Sequence, residues 1–124
     1  MFFRKRVGIR WYDEGDLSSV QYTKDTLTID GAWHDLDLSS IVGESRVLVL
    51  IQAYLNDNAG DKELKIRTKG NINEVNVGTC HTQVANKTCD RNIFVYTDVN
   101  GIIQYMIDVA TWQTIDLVIR GVFK

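Results

Sequence analysis

The chain has 124 residues, 44% of them apolar, with 14 Lys and Arg against 16 Asp and Glu and a formal net charge of −2. That length makes one domain able to bury a core without metal or disulfide, and the apolar share is too high for a disordered chain. The near balance of charge removes the electrostatic case for nucleic acid, which needs a basic surplus to displace counterions.

Residues 3–12 set Val7, Ile9 and Trp11 against Arg6, Gly8 and Arg10, an amphipathic strand whose basic side faces solvent. Met1-Phe2-Phe3 runs straight into Arg4-Lys5-Arg6 with no apolar stretch after it, so the start does not read as a secretory signal. Residues 20–23 and 26–29 are short β-type pieces about Lys24-Asp25, a candidate hairpin. Residues 1–29 are therefore expected to form an N-terminal strand and hairpin, a candidate arm between subunits, and residues 30–124 the core of the same single domain.

Residues 33–38 alternate Leu36 and Leu38 against Asp35 and Asp37, then Ser39-Ser40-Ile41-Val42-Gly43 breaks the pattern as a turn or one helical turn. Residues 46–55 are the longest expected strand. Val47, Val49, Ile51, Ala53 and Leu55 share one face; Leu48 and Leu50, then Gln52 and Tyr54, share the other. A strand apolar on both faces at one end has no water on either side there. Leu48, Leu50 and Tyr54 are accordingly the candidate interface residues. The apolar run 47–51 is far short of the roughly 20 residues that cross a bilayer, so no membrane insertion is expected.

After the polar loop 56–61, residues 62–69 alternate Leu64 and Ile66 inward with Lys65, Arg67 and Lys69 outward. The phase breaks near Asn73-Glu74, where a turn or bulge is expected. A weak strand over 79–85 and a polar loop over 86–92 follow. Residues 93–98 and 102–109 flank Asn100-Gly101, the strongest short-range hairpin signal in the chain. The closing strand, 114–123, is expected to bury Ile115, Leu117, Ile119 and Phe123 and to show Asp116 and Arg120. No segment holds a 3.6-residue period. About eight to ten short strands with regular turn signals define an all-β antiparallel β-sandwich, of the jelly-roll or immunoglobulin-like kind. The chain contains no proline, a residue that guards sheet edges, so assembly is the expected cover.

No residue set compels a chemistry. The two histidines, His34 and His81, have no nucleophile at triad spacing, and Gly43-Glu44-Ser45-Arg46-Val47 lacks the second glycine of a nucleophile elbow. Cys80 and Cys89 lie nine apart, where a loop-stapling disulfide and two free thiols are equally compatible. Neither fits a zinc spacing. Asp57, Asn58 and Asp61, with Glu63, offer oxygen ligands, but Asp57-Asn58-Ala59-Gly60-Asp61 departs from an EF-hand loop; a polar hairpin end is the plainer reading than calcium. Catalytic residues, metal and cofactor are therefore expected to be absent. Trp33 and Trp112 stand at loop-to-strand junctions, where an indole either stacks on a sugar ring or plugs the end of a sandwich. With Asp57, Asn58 and Asp61 they are the candidate partner-binding residues, in candidate contact loops 56–61, 86–92 and 110–113.

Two stretches carry a resemblance: Trp33-His34-Asp35-Leu36-Asp37-Leu38-Ser39-Ser40-Ile41-Val42 and Trp112-Gln113-Thr114-Ile115-Asp116-Leu117-Val118-Ile119-Arg120-Gly121-Val122-Phe123. With Lys69-Gly70-Asn71 and Thr82-Gln83-Val84-Ala85-Asn86 between them, residues 30–124 resemble small β-sandwich modules of bacteriophage and prophage virion proteins, tail-fibre and related surface components among them. The resemblance implies a non-enzymatic homo-oligomer, commonly a trimer, located in the virion. It also implies partners among other virion proteins or host-surface receptors and glycans. The reading from another class is a monomeric carbohydrate-binding module that uses an exposed tryptophan.

Overall fold

The structure is a computed structural model that describes residues 8–17 and 19–124. It is an antiparallel β-sandwich of two sheets. Sheet A holds β1 (Trp11–Asp13), β2 (Tyr22–Thr23), β4 (Leu48–Asp57), β7 (Cys89–Tyr96) and β9 (Trp112–Phe123), in the order β1-β9-β4-β7 with β2 also on β9. Sheet B holds β3 (His34–Asp37), β8 (Ile102–Ile107), β5 (Glu63–Thr68) and β6 (Gly78–His81), in the order β3-β8-β5-β6. Among the described residues helix is confined to one α turn, α1 (Ser39–Val42), and one 3-10 turn at Glu74–Asn76 where the alternation breaks.

The pairing has a simple rule. β2 pairs with β9, β3 with β8, β4 with β7 and β5 with β6, as in one long antiparallel hairpin folded about the β5–β6 turn. Rolling that hairpin brings β9 against β4 and β8 against β5, which closes the two sheets. This is the jelly roll, and the immunoglobulin-like alternative is set aside by strand order. β1 and β2 are two halves of one edge strand along β9. In the gap between them the Ile119 amide donates to Gln21 Oε1 at 2.5 Å. Within residues 1–29, residues 11–13 and 22–23 pair with β9 of the chain's own sheet, while residues 3–7 of the strand expected over 3–12 lie outside the described residues.

The inner faces follow the period-2 pattern. Val49, Ile51, Ala53 and Leu55 of β4 meet Leu64, Ile66, Ile103 and Ile107 of sheet B in one core with Ile115, Leu117 and Ile119. Three local expectations change. Residues 26–29 do not pair as a strand: the Thr26 and Leu27 amides turn back onto the Thr23 carbonyl at 3.0 and 3.1 Å. Asn100-Gly101 makes its turn, with Gly101 at φ +79, but β7 and β8 leave it for different sheets. It is a corner, not a hairpin. Finally, β9 carries a bulge opposite Leu50 and Ile51, where Gly121 and Ile119 are the paired residues and Arg120 is extra. The added residue flips the phase, so Val122 is buried and Phe123 turns to the outer face.

Candidate functional site

The outer face of sheet A is built by register. One row across the sheet is Trp11, Phe123, Leu48 and Tyr96; the next is Gly121, Leu50 and Phe94. The two rows form a continuous aromatic and aliphatic band. Trp11 packs on Phe123 with ring centroids 4.9 Å apart, and Phe94 stands 6.4 Å from Phe123. Gly121 is required beneath the band, because a Cβ there would collide with the Trp11 ring. Phe94, Tyr96 and Trp11 keep 57%, 47% and 38% of their surface in solvent, so the described chain covers them only in part. Leu48 and Leu50 are half-buried between them.

Cations rim the band. The Arg46 guanidinium lies 5.0 Å above the Tyr96 ring, and Lys124 Nζ lies 3.5 Å from the Val42 carbonyl, to which it donates. Ile9, Arg46, Leu48, Tyr96, Phe123 and Lys124 line an open cleft of about 530 Å³ at the band's end. Further along β4 the same face turns polar: Gln52 pairs with Asn92 and Val118, and Tyr54 with Asp90 and Asp116. Of the sequence-predicted interface residues, Leu48 and Leu50 lie in the band. Tyr54 does not; its hydroxyl accepts from Gln52 Nε2 at 2.7 Å, and it shares a cleft with Leu17 and Val20 of its own chain.

At the opposite end of β4 the three candidate contact loops come together, two of them shorter than expected, because residues 89–92 belong to β7 and residues 112–113 to β9. The Asn58 amide donates to the Thr111 carbonyl at 3.2 Å, the Asn86 amide to the Asp57 carbonyl at 2.8 Å, and Gln113 Nε2 to Asn86 Oδ1 at 2.7 Å. Within this cluster the predicted partner-binding residues separate. Asn58 is exposed, and so is Asp61, which accepts from His81 Nε2 at 2.6 Å. Asp57 is buried instead, its Oδ1 accepting from the Gly60 amide at 3.2 Å, so it fixes the loop from within. Among the described residues no three of His, Cys, Asp and Glu converge on one point.

Of the two fates open to the tryptophans, stacking platform or end plug, Trp112 takes the plug. Trp112 is buried at 6% exposure and its indole N–H donates to the Asp108 carbonyl at 2.9 Å, so it plugs the sandwich end. Trp33 is half-buried, with the Arg67 guanidinium 3.9 Å over its ring. Sequence reasoning placed Trp11 on a strand but missed its role. The signal was present in Gly121, a glycine inside a β pattern, which marks a close approach.

Sheet B turns a different face outward. Lys69 Nζ donates to Asp35 Oδ2 at 2.6 Å, Gln104 Nε2 to Asp35 Oδ1 at 2.9 Å, and Arg67 Nε to Gln104 Oε1 at 2.9 Å. The Lys69 hydrogen bond, then that of Gln104, holds the Asp35 carboxyl below its ordinary value, and the same contact raises Lys69. The sequence matches no protein-family model and no curated protein. No helix of the described residues is long and apolar enough to cross a membrane.

Proposed function

We propose that this chain is a non-enzymatic structural or adhesion module of a bacteriophage virion. It assembles with copies of itself through the aromatic end of sheet A and presents the loops at the far end of β4 to a receptor, glycan or capsid partner. The observation that carries the reading is the half-exposed band of Trp11, Leu48, Leu50, Phe94, Tyr96 and Phe123. Large aromatic side chains with an arginine at the rim are what protein interfaces use as energetic anchors. A face four strands wide and about 33 Å long is on the order of 600 Å², near the roughly 800 Å² that each partner gives to a standard interface. The polar half of the same face then serves as a rim. The band and the loop cluster lie at opposite ends of β4, so in an assembly centred on the band the loops sit at the margin of the contact and not at its centre. The virion assignment rests on the resemblance of residues 30–124, and the jelly-roll order agrees with it, since that architecture recurs in capsid and lectin domains.

Multi-angle light scattering on the purified chain and on Phe94→Asp tests the reading. The wild type is expected to run as an oligomer, a trimer by the resemblance, at micromolar concentration, and the variant as a folded monomer. A wild-type monomer at that concentration overturns the proposal.

A further inference from the structure

The second unexplained feature lies away from the band, on the inner side of the sandwich. Cys80 sits in β6, opposite Leu64 of sheet B, and is fully buried. Cys89 opens β7, opposite Leu55 of sheet A, and is half-buried. Their Sγ atoms are 3.8 Å apart, in contact but unbonded, and the Cys89 thiol donates to the His81 carbonyl at 3.3 Å. β6 and β7 are the edge strands along which the two sheets meet, and they belong to no common ladder.

We propose that Cys80 and Cys89 form a redox clamp: oxidation by a small-molecule disulfide joins them into an intramolecular disulfide that ties sheet A to sheet B beside the presenting loops. An S–S bond is about 2.05 Å, so the sulfurs must approach by about 1.7 Å, which is within reach of a side-chain rotation. The two thiols are not equivalent. Burial, then the neighbouring Cys89, pushes the Cys80 thiol up to about 12, so it stays protonated at neutral pH. Cys89 is the more accessible sulfur and takes the first step. Its thiolate attacks one sulfur of glutathione disulfide, the reagent's S–S bond breaks, and one glutathione thiolate leaves and takes up a proton. Cys80 then gives its proton to solvent and attacks Cys89 Sγ, expelling the second glutathione. Two protein thiols are oxidised and one reagent disulfide is reduced to two thiols.

The clamp matters for the loops because of what it fixes. It closes a ring around residues 81–88, and His81 within that ring holds Asp61 of the 56–61 loop at 2.6 Å. This inference is independent of the assembly reading, since both sulfurs face away from the aromatic band. Intact-mass measurement after incubation with glutathione disulfide tests it. The expected result is loss of two hydrogens, no thiol left to titrate in denaturant, and a peptide linking Cys80 to Cys89. A melting temperature about 5–10 °C above that of the reduced protein should accompany it. Cys80→Ala should stop at a glutathione adduct on Cys89, whereas Cys89→Ala should gain none. Persistence of both free thiols in the wild type, a stable adduct on wild-type Cys89, or covalent dimers in place of the internal bond overturns the proposal.

Discussion

The two outer faces of this sandwich are made by the same alternation and end up opposite in character. On the outer face of sheet B, Asp35, Gln104, Arg67 and Lys69 close a ladder of hydrogen bonds, with Ile102 and Met106 on the same face beside them. On sheet A the outward positions at the start of β4 and the ends of β7 and β9 are Leu48, Leu50, Phe94, Tyr96 and Phe123, with Trp11 beside them. A ladder of hydrogen bonds is satisfied within the chain. An aromatic band with half its surface in water is not, and that difference is the ground on which sheet A is proposed as the face that takes a partner.

The comparison breaks most visibly at Phe94. A charge there, in Phe94→Asp, removes the most exposed anchor of the band and is expected to weaken self-association by about 30-fold or more, with an unchanged far-ultraviolet circular dichroism spectrum. The matching change on the other face, Lys65→Asp, should leave the mass in solution as it was. Light scattering on the pair reads both.

Gly121→Val comes next. The new side chain meets Trp11, which must leave the face, so a destabilisation of about 1–3 kcal/mol in urea unfolding is expected together with weaker association. Arg67→Ala is smaller. It uncovers Trp33 and opens one rung of the sheet B ladder, and about 0.5–1 kcal/mol of stability with no change in association is the expected reading.

The smallest effect is electrostatic. Because the folded-state Asp35 carboxyl lies below its ordinary value, its contribution is present above about pH 4 and is lost as pH falls through the depressed value. Both partners of Asp35 and Lys69 are largely exposed, so salt screens the pair. Urea midpoints for wild type and Asp35→Asn should therefore differ slightly near neutral pH and converge in acid.

Much of this was legible because strand faces have a period of two. The alternation of β4 marked Val49, Ile51, Ala53 and Leu55 as core, and the same counting set Leu48 and Leu50 on the opposite side, where the structure leaves them half-buried. Counting failed where an extra residue enters. The bulge at Arg120 turned Phe123 outward and Val122 inward, and Gly121 beside it is the one local hint, since a glycine in a strand marks either a bulge or a close approach and does not say which. The turn at Asn100-Gly101 was readable from its own chemistry. Which sheet each flanking strand joins depends on β4 and β5, far away in sequence. A plug with its indole N–H on a backbone carbonyl is the commoner fate of a tryptophan at such a junction, and Trp112 takes it; that the carbonyl belongs to Asp108 is something no side-chain pattern reveals. The meeting of Asn58, Asn86 and Gln113 at one end is likewise a product of rolling the sheet, although the loops themselves were marked by their polar residues.

Fluorescence quenching at Trp11 locates the interface as well as detecting it. With Trp112 buried, acrylamide quenching in a Trp33→Phe background reports chiefly on Trp11. The account predicts that micromolar protein is quenched clearly less than the same background carrying Phe94→Asp. Equal quenching in the two would mean that Trp11 faces water in both, and that the band is not where copies of this chain meet.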